Sequence, residues 1–507
     1  MARATSWLLL ACVQGLGGAA HGPQRIVFDL ERIAPDGAAT PAPASAFASA
    51  RHLVGPHGPP LEPPAAQNLR RSASYKCDLH NFDNVQYHLS ILIGTPCSGG
   101  ASRRQRFRVV PDTGSADLWV PASNCTHCIA HSTNFNIVAS CSARMIGDRI
   151  TFRYGDGTVA HGGSFEDDVR VGALEVPRQF MIQVDRVSHN SHMKSDGILG
   201  LAHHYEQDQL NRGRTFMARV FQGHPGLPKM FSFFLTGNAE GGSQLAFGHP
   251  KLEEHAKEGE FRYGKSYWMQ NTGLWLTSIW SLGFAETGTE VSFPEHGTFG
   301  CPTMIDTGTS LMVLEVGVFD RLIPEITWRM PSCRYLDKQK MMECDCPPGG
   351  DLSRLPSLVI NAIDANDQQF ALCMSPEEYI LASISPITGR DTCVPAFQKG
   401  GHRQPVPLIF GMTFLRSFYT NFDIANKRIG FARSRASPLP GGFTCAADAR
   451  PTLRRTIWLS SMVLAIMSLL YVLFVTLAPK GCCSRRCGCC CPGMRLASAP
   501  KVSKIYC

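Results

Sequence analysis

The sequence predicts an all-β (mainly) body of two similar lobes with short helices, followed near the C-terminus by one transmembrane helix. Three observations lead to this prediction. From Tyr87 onward, short β-rich runs such as YHLSILIGTP and RITFRYGDGT alternate with glycine, and few stretches keep a helical period. An Asp-Thr-Gly cassette occurs twice, at Asp112 and at Asp306, each time after an apolar run. Residues 456–478 form an apolar stretch without a charge.

Composition limits the class of protein. The 507 residues are 44% hydrophobic and 18% charged, which is ordinary for a globular protein with a sizeable core and room for more than one domain. Six of the eight net positive charges lie after Leu477, where no Asp or Glu occurs. The body is therefore close to neutral, and no nucleic-acid partner is expected.

The N-terminal 80 residues fall into two predicted segments. Residues 1–20 have a basic residue, Arg3, then an apolar core, and they end in small residues (Gly and Ala). This is the pattern of a secretory signal peptide. The alternative is a buried N-terminal helix, but the glycines at the end of this segment would break it. Residues 21–80 are rich in Pro and Ala, so we expect no packed core there. They form either a linker or a pro-segment removed near the dibasic pair Arg70 and Arg71.

The predicted lobes span residues 81–258 and 259–440, and a linker spans 441–455. The 23 residues of 456–478 are long enough to cross a hydrocarbon core of ~30 Å. Three arginines precede this stretch and six Lys or Arg follow it, which predicts a single-pass protein with a cytosolic tail, 479–507. The body would then lie in a secretory or endosomal lumen or at the cell surface.

The tail is rich in cysteine beside the predicted membrane segment. Juxtamembrane cysteines are candidates for S-palmitoylation, and the interspersed arginines suit anionic headgroups. A metal-binding tail is the competing interpretation.

Twelve cysteines remain once the signal peptide and tail are set aside, an even number that predicts up to six disulfides in an oxidising compartment. Cys125 and Cys128, with His127 and His131, also suggest a metal site. We disfavour it because no second Cys/His pair follows at zinc-finger spacing. Asn124 begins an Asn-Cys-Thr sequon for glycosylation.

The two cassettes point to one shared site. A single Asp-Thr-Gly is often only a turn between strands, but two copies far apart suggest that each lobe offers one carboxylate, Asp112 and Asp306. Two carboxylates held close together cannot easily both ionise, so they share one proton over an acidic range. Gly114 and Gly308 let backbone N–H groups approach the carboxylates, where a side chain would intrude.

Six motifs in a fixed order give a resemblance to a family. Residues 87–432 resemble the pepsin-type (family A1) aspartic proteases through YHLSILIGTP, DTGSADLWVP, YGDGT, DGILGLA, DTGTS and LIFGMTFLRSFYTNFDIANKRIGFA. The resemblance implies the bilobal pepsin-like fold, a monomeric protease domain, polypeptide substrates and no cofactor or metal. One aspartate would take a proton from a water as it attacks the peptide carbonyl, while the other donates to the oxyanion.

The resemblance also assigns roles to residues. Asp112 and Asp306 would be the catalytic pair. Thr113 and Thr307 would cross-bond beneath it, and Ser115 and Thr309 would hydrogen-bond the outer carboxylate oxygens. Two apolar segments, residues 198–200 and 409–411, resemble the strands that thread the two catalytic loops.

A hairpin is predicted to close over the substrate as a flap. By the resemblance, its tyrosine, Tyr154, bonds to Trp119. The remaining flap residues are Gly155, Asp156, Gly157 and Thr158. Asp156 would overhang the pocket beside the scissile bond, where its carboxylate would favour a basic residue of the substrate; the alternative is that it only supports the turn.

Pro111, directly before Asp112, departs from the family pattern. It removes a backbone donor and restricts Val110 to extended geometry.

Taken together, the motifs and the apolar C-terminal segment predict a membrane-anchored aspartic endopeptidase. The alternative is a catalytically inactive pepsin-like module that binds peptides or mediates adhesion. The presence of both aspartates and of the flap tyrosine favours the enzyme.

Overall fold

The computed structural model describes residues 74–443 and Cys445, with gaps at 83, 98–102, 127, 129–131, 155–157, 189–192, 203–213, 238–239, 267–272, 294–295, 297–298, 385–390 and 402–405. The predicted signal peptide, the membrane segment 456–478 and the cysteine-rich tail lie outside these residues. Among the residues that are described, no helix is both long and apolar enough to cross a membrane.

The described chain is built mainly from strands. They are β1 (Ser74–Asp78), β2 (His80–Phe82), β3 (Gln86–Ile93), β4 (Gln105–Asp112), β5 (Leu118–Thr126), β6 (Arg144–Arg153), β7 (Val159–Val171), β8 (Leu174–Ser188), β9 (Gly197–Gly200), β10 (Met230–Phe234), β11 (Gln244–Gly248), β12 (Arg262–Gly264), β13 (Leu276–Phe284), β14 (Glu290–Ser292), β15 (Cys301–Ile305), β16 (Met312–Leu314), β17 (Arg334–Leu336), β18 (Met341–Asp345), β19 (Leu358–Ile363), β20 (Gln369–Met374), β21 (Ile380–Ile384), β22 (Asp391–Pro395), β23 (Phe397–Lys399), β24 (Leu408–Phe410), β25 (Phe418–Asp423) and β26 (Arg428–Arg433).

The α-helices are short. They are α1 (Phe216–Gly223), α2 (Leu252–His255), α3 (Val316–Leu322), α4 (Pro324–Thr327), α5 (Pro376–Tyr379) and α6 (Met412–Ser417). Two 3-10 turns span Ile137–Ala139 and Pro348–Gly350. The predicted mainly β body with short helices is confirmed.

Three sheets arrange these strands in two lobes. An eight-stranded sheet, in the order β2-β3-β4-β9-β5-β8-β7-β6, belongs to the first half of the chain. A twelve-stranded sheet formed by β13–β24 belongs to the second half. The third sheet, β1-β11-β10-β25-β26-β12, takes strands from both halves and so connects the lobes. The bilobal part of the prediction therefore agrees with the structure.

The same local topology occurs once in each lobe. In the first, β9 pairs in parallel with β4 and antiparallel with β5. In the second, β24 pairs in parallel with β15 and antiparallel with β16. β9 contains the predicted apolar segment 198–200, and β24 contains all of the segment 409–411 except Gly411, which directly follows the strand. Each therefore fills the space between the strand that leads into an Asp-Thr-Gly loop and the strand that leaves it.

Aromatic packing joins the lobes beneath these loops. Phe231 of β10 stacks on Phe422 of β25, with ring centroids 4.8 Å apart and planes 5° apart. Trp275 packs edge-on against Phe422 at 5.1 Å. All three side chains are at most 3% exposed. Because burial of aromatic side chains contributes strongly to stability, this cluster joins strands from both halves of the chain within the interlobe sheet and packs that sheet against the second lobe.

Strand β1 lies within the segment 21–80, for which the sequence predicted no packed core. Its backbone pairs antiparallel with β11, with Tyr75 opposite Phe247. Cys77 and Leu79 are buried, at 5% and 6% exposure. The end of this segment is therefore part of the folded body, because its backbone completes the edge of the interlobe sheet.

Ten cysteines form disulfides within the described residues: Cys97–Cys141, Cys125–Cys128, Cys333–Cys344, Cys346–Cys393 and Cys373–Cys445. The other two of the predicted twelve, Cys77 and Cys301, are buried. Because Cys125 and Cys128 are oxidised to each other, their sulfurs cannot serve as thiolate ligands of a metal ion.

Candidate active site

The two aspartates lie together between the lobes. Asp112 ends β4, Asp306 directly follows β15, and neither residue is exposed to solvent. Their carboxyl groups hydrogen-bond each other. The structure thus brings into contact two side chains that are 194 positions apart in the sequence. Thr113 and Thr307, which follow the aspartates, have the same separation.

Each carboxyl group accepts the same set of hydrogen bonds from its own loop. The backbone N–H of Gly114 donates to Oδ1 of Asp112 at 2.9 Å, and that of Gly308 donates to Oδ1 of Asp306 at 2.8 Å. Ser115 donates through Oγ to Oδ2 of Asp112. Thr309 donates through Oγ1 to Oδ2 of Asp306 at 2.6 Å. These donors fix the plane of both carboxyl groups.

The two loop glycines allow this close approach. A Cβ atom on Gly114 would lie 2.8 Å from Oδ1 of Asp306, and one on Gly308 would collide with Oδ1 of Asp112. Each glycine therefore packs against the carboxyl group of the opposite lobe. Any larger residue would push the carboxyl groups apart.

Thr113 and Thr307 form a reciprocal brace beneath the carboxyl groups. The N–H of Thr113 donates to Oγ1 of Thr307 at 3.0 Å, and the N–H of Thr307 donates to Oγ1 of Thr113 at 2.9 Å. Each hydroxyl also donates across the interface, Thr113 to the carbonyl of Ile305 at 2.9 Å and Thr307 to that of Pro111 at 2.7 Å. The brace makes the two loops one rigid unit.

Pro111 fits this site without breaking a sheet. The pairing of β4 with β3 ends at Val109 opposite Leu89, before the residue that lacks an N–H. On its other side, β4 stays paired with β9 through Asp112 opposite Gly200. The carbonyl of Pro111 accepts the bond from Thr307. The proline therefore keeps the acceptor that the brace needs and lacks only a donor.

The predicted flap is described at its base. β6 and β7 form an antiparallel hairpin that is paired up to Arg153 opposite Val159. Trp119 donates through Nε1 to the Tyr154 hydroxyl at 2.6 Å, and the Tyr154 N–H donates to the carbonyl of Thr158 at 2.9 Å. Gly155, Asp156 and Gly157 lie outside the described residues, so the hypothesis about Asp156 remains a prediction.

Burial and charge change the acidity of the pair. Burial raises the pKa of Asp112, opposed by hydrogen bonds from Ser115, Asp306 and Gly114. Burial raises the pKa of Asp306 well above its ordinary value, and the charge of Asp112 raises it further. Two such groups in contact cannot both be ionised at low cost, so the pair retains one proton over a range in which isolated aspartates are fully ionised.

Two contacts of the site were not predicted from the sequence. Ser310 donates through Oγ to the carbonyl of Val85 at 2.5 Å, and Arg416 donates through Nη1 to the carbonyl of Asn84 at 2.6 Å. They fasten the β2–β3 connection of one lobe to the loop and helix of the other. The acceptors are backbone carbonyls, which every residue has, so no sequence signal identifies this connection.

The fold and site define a class: a bilobal β protein in which two braced loops bring one aspartate from each lobe into contact. The family model of the eukaryotic aspartyl proteases matches residues 86–434. Pregnancy-associated glycoprotein 2 of Bos taurus is 30% identical over 358 residues, which cover 70% of this chain and 84% of that protein. The chain belongs to the eukaryotic aspartyl protease family.

Two further relatives are similar over the same extent. Gastricsin of Callithrix jacchus is 29% identical over 361 residues, covering 69% of this chain and 82% of that protein. Cathepsin D of Dictyostelium discoideum is 28% identical over 367 residues, covering 70% and 85%. These matches cover the body of the chain, and they support a hydrolase of the aspartic protease kind.

The raised pKa values predict how stability depends on pH. A carboxyl group with a raised pKa binds its proton more tightly in the folded chain than in the unfolded chain. Its stabilising effect is complete below the ordinary carboxyl pKa of about 4 and is lost as pH rises through the folded pKa. We expect the Tm to fall between pH 4 and pH 7.5 by less in Asp306→Asn than in the wild type.

Thermal unfolding followed by circular dichroism measures this difference in Tm. Each kcal/mol of unfolding free energy shifts the Tm by roughly 2–4 °C. The exposed Asp337 provides the matched control, and Asp337→Asn should keep the wild-type dependence. An equal fall in the Tm of the wild type and of Asp306→Asn would show that the pair does not contribute to the pH dependence of stability.

Proposed function

We propose that this chain is a membrane-anchored aspartic endopeptidase that hydrolyses polypeptides at acidic pH. The observation that carries the proposal is the contact between Asp112 and Asp306, two fully buried carboxyl groups that hydrogen-bond each other and have raised pKa values. A pair that holds one proton offers a base and an acid at the same point, as peptide hydrolysis by water requires.

The proposed reaction uses both members of the pair. The charged carboxylate takes a proton from a water molecule that lies between the two groups, and the water oxygen attacks the peptide carbonyl. The protonated carboxyl group donates its hydrogen bond to the oxygen on which negative charge develops. Breakdown of the tetrahedral intermediate passes a proton to the leaving amine. No covalent enzyme intermediate forms.

The neighbouring residues hold this geometry. Ser115 and Thr309 fix the outer oxygens, so that the inner oxygens face each other. The bond between Trp119 and Tyr154 supports the base of the flap, whose hairpin would cover the bound polypeptide and exclude water. The Thr113–Thr307 brace prevents the lobes from separating the carboxyl groups.

The alternative is a catalytically inactive member that binds peptides or mediates adhesion. Such a protein needs the cleft but not the proton-sharing pair. Here both carboxyl groups, their four donors and the brace are complete, which favours the enzyme.

The first test replaces one member of the pair. Asp112→Asn and Asp306→Asn should each lower kcat/KM by about 1000-fold or more, because an amide cannot serve as acid or base. The measurement is cleavage of a fluorogenic peptide library, with Asp337→Asn as the control for the same change at an exposed site. Turnover retained in either site variant, with folding intact, would exclude the mechanism.

Membrane anchoring rests on the sequence of residues 456–478 and is tested separately. In sealed microsomes we expect an epitope in the body to survive added protease and a C-terminal epitope to be digested, because the positive tail should remain on the cytosolic side. Digestion of the body with survival of the tail would show the reverse orientation.

A further inference from the structure

A row of arginines lies on the outer face of the eight-stranded sheet. Four of the six residues in Arg103-Arg104-Gln105-Arg106-Phe107-Arg108 are arginine. In β4, Phe107 and Val109 are fully buried, whereas Arg106 and Arg108 are exposed. Side chains alternate between the faces of a strand, so Arg106 and Arg108 share one face of β4, with Cα atoms about 6.8 Å apart. Arg104 directly precedes β4.

A fourth arginine extends this row sideways. β3 lies between β4 and β7, and Leu92 of β3 is paired with Arg106 on one side and with Arg170 on the other. Arg170 is exposed and lies two strand spacings, roughly 9.5 Å, from Arg106. We call Arg104, Arg106, Arg108 and Arg170 the arginine ridge.

The carboxylates near the arginine ridge compensate only part of its charge. Glu175 contacts Arg104 at 2.7 Å and Arg170 at 3.7 Å. Asp196 lies 3.7 Å from Arg108, but its side chain is only 2% exposed, and it also accepts bonds from the backbone N–H groups of Arg108 and Thr133. Two carboxylates thus face four guanidinium groups, and one of these carboxylates, that of Asp196, is buried beneath the surface.

Arg106, at the centre of the ridge, is the least compensated member. Within the described part of the chain its side chain makes no hydrogen bond or ion pair. The body of the protein is close to neutral, so this concentration of positive charge is local to the sheet. Because guanidinium groups stay protonated at every physiological pH, the charge is the same in an acidic compartment and at the cell surface.

We propose that the arginine ridge binds a sulfated glycan chain. Short basic runs of this kind bind linear polyanions, and the planar guanidinium fork matches oxyanions that accept two parallel hydrogen bonds. Arg106 and Arg108 lie along one strand and Arg104 directly precedes it, so these three arginines form a row that suits an extended chain carrying an anionic group at each step. Sulfate groups stay ionised at the acidic pH proposed for the enzyme.

Two observations favour a glycan over a nucleic acid. Proteins that bind single-stranded nucleic acids add aromatic side chains on which bases stack. Here Ser90 and Leu92 occupy the outward positions of β3 opposite Arg108 and Arg106. The disulfides of the body also indicate an oxidising compartment, where sulfated glycans are the common polyanions.

The arginine ridge is separate from the aspartate pair. Arg108 and Arg106 precede Asp112 by four and six residues in β4, which corresponds to about 14 and 20 Å along an extended strand. A bound glycan would therefore leave the cleft open. This binding activity goes beyond the proposed proteolysis, since it would hold the enzyme on a glycan-rich surface or matrix.

The experiment measures heparin binding by surface plasmon resonance. The full chain is held in nanodiscs of neutral lipid, and three forms are compared: wild type, Arg106→Glu and Arg354→Glu. Arg354 is an exposed arginine of the other lobe, so its substitution makes the same charge change away from the ridge. The basic C-terminal tail is unchanged in all three and adds the same background.

We expect wild-type affinity to fall steeply with salt, as counterion release requires. Arg106→Glu should weaken binding by about tenfold or more, the effect of losing one charge-assisted contact. Arg354→Glu should stay within about twofold, and desulfated heparin should not bind. Equal Tm values of the three forms would show that folding is unaffected.

Three results would overturn the proposal. One is no binding of heparin by the wild type. Another is an equal effect of the two substitutions, which would place the binding in the tail. The third is a loss of binding to phosphatidylserine vesicles in Arg106→Glu while heparin binding stays unchanged, which would make a membrane surface the partner.

Discussion

The reciprocal hydrogen bonds between Thr113 and Thr307 are the interaction on which the site depends. The two carboxyl groups lie in different lobes, and burial together with mutual repulsion would separate them if the loops were free to move. Four hydrogen bonds of the brace, all within the buried base of the site, prevent this. Each threonine acts as donor and acceptor at once, so neither loop can shift alone.

The brace has an electrostatic consequence. Since the carboxyl groups are held in contact, the cost of two charges is avoided most simply by retaining one proton. Burial raises the pKa of both groups, and the charge of Asp112 raises the pKa of Asp306 further. The donors from Gly114, Ser115, Gly308 and Thr309 occupy the remaining oxygen positions. A rigid arrangement that is unfavourable for the fold at neutral pH is thus the one that peptide hydrolysis requires.

Local parts of this site are predictable from the sequence. The glycine and hydroxyl donors stand two and three residues after each aspartate, so their bonds depend on loop geometry that the cassette itself encodes. Repetition of the cassette then implies a shared site, and the turn chemistry of YGDG implies the hairpin. The mainly β class follows in the same way from short runs between glycines.

Other parts depend on contacts that no local pattern encodes. The bond from Ser310 to Val85 spans 225 positions and ends on a backbone carbonyl. The entry of β1 into the interlobe sheet depends on the free edge of β11, and the Cys373–Cys445 disulfide depends on how two distant segments pack. The effect of Pro111 also required the structure, because it depends on where the pairing with β3 ends.

The pH dependence of kcat/KM for one peptide substrate, measured from pH 2 to pH 8, tests the shared proton most directly. Our account predicts a bell-shaped profile. Its acid limb would report the second protonation of the pair, and its upper limb would report the loss of the shared proton, at a pH above the ordinary aspartate range of about 4. A profile that stays flat or rises toward neutral pH, with both aspartates present, would contradict a mechanism that needs one carboxylate charged and the other protonated.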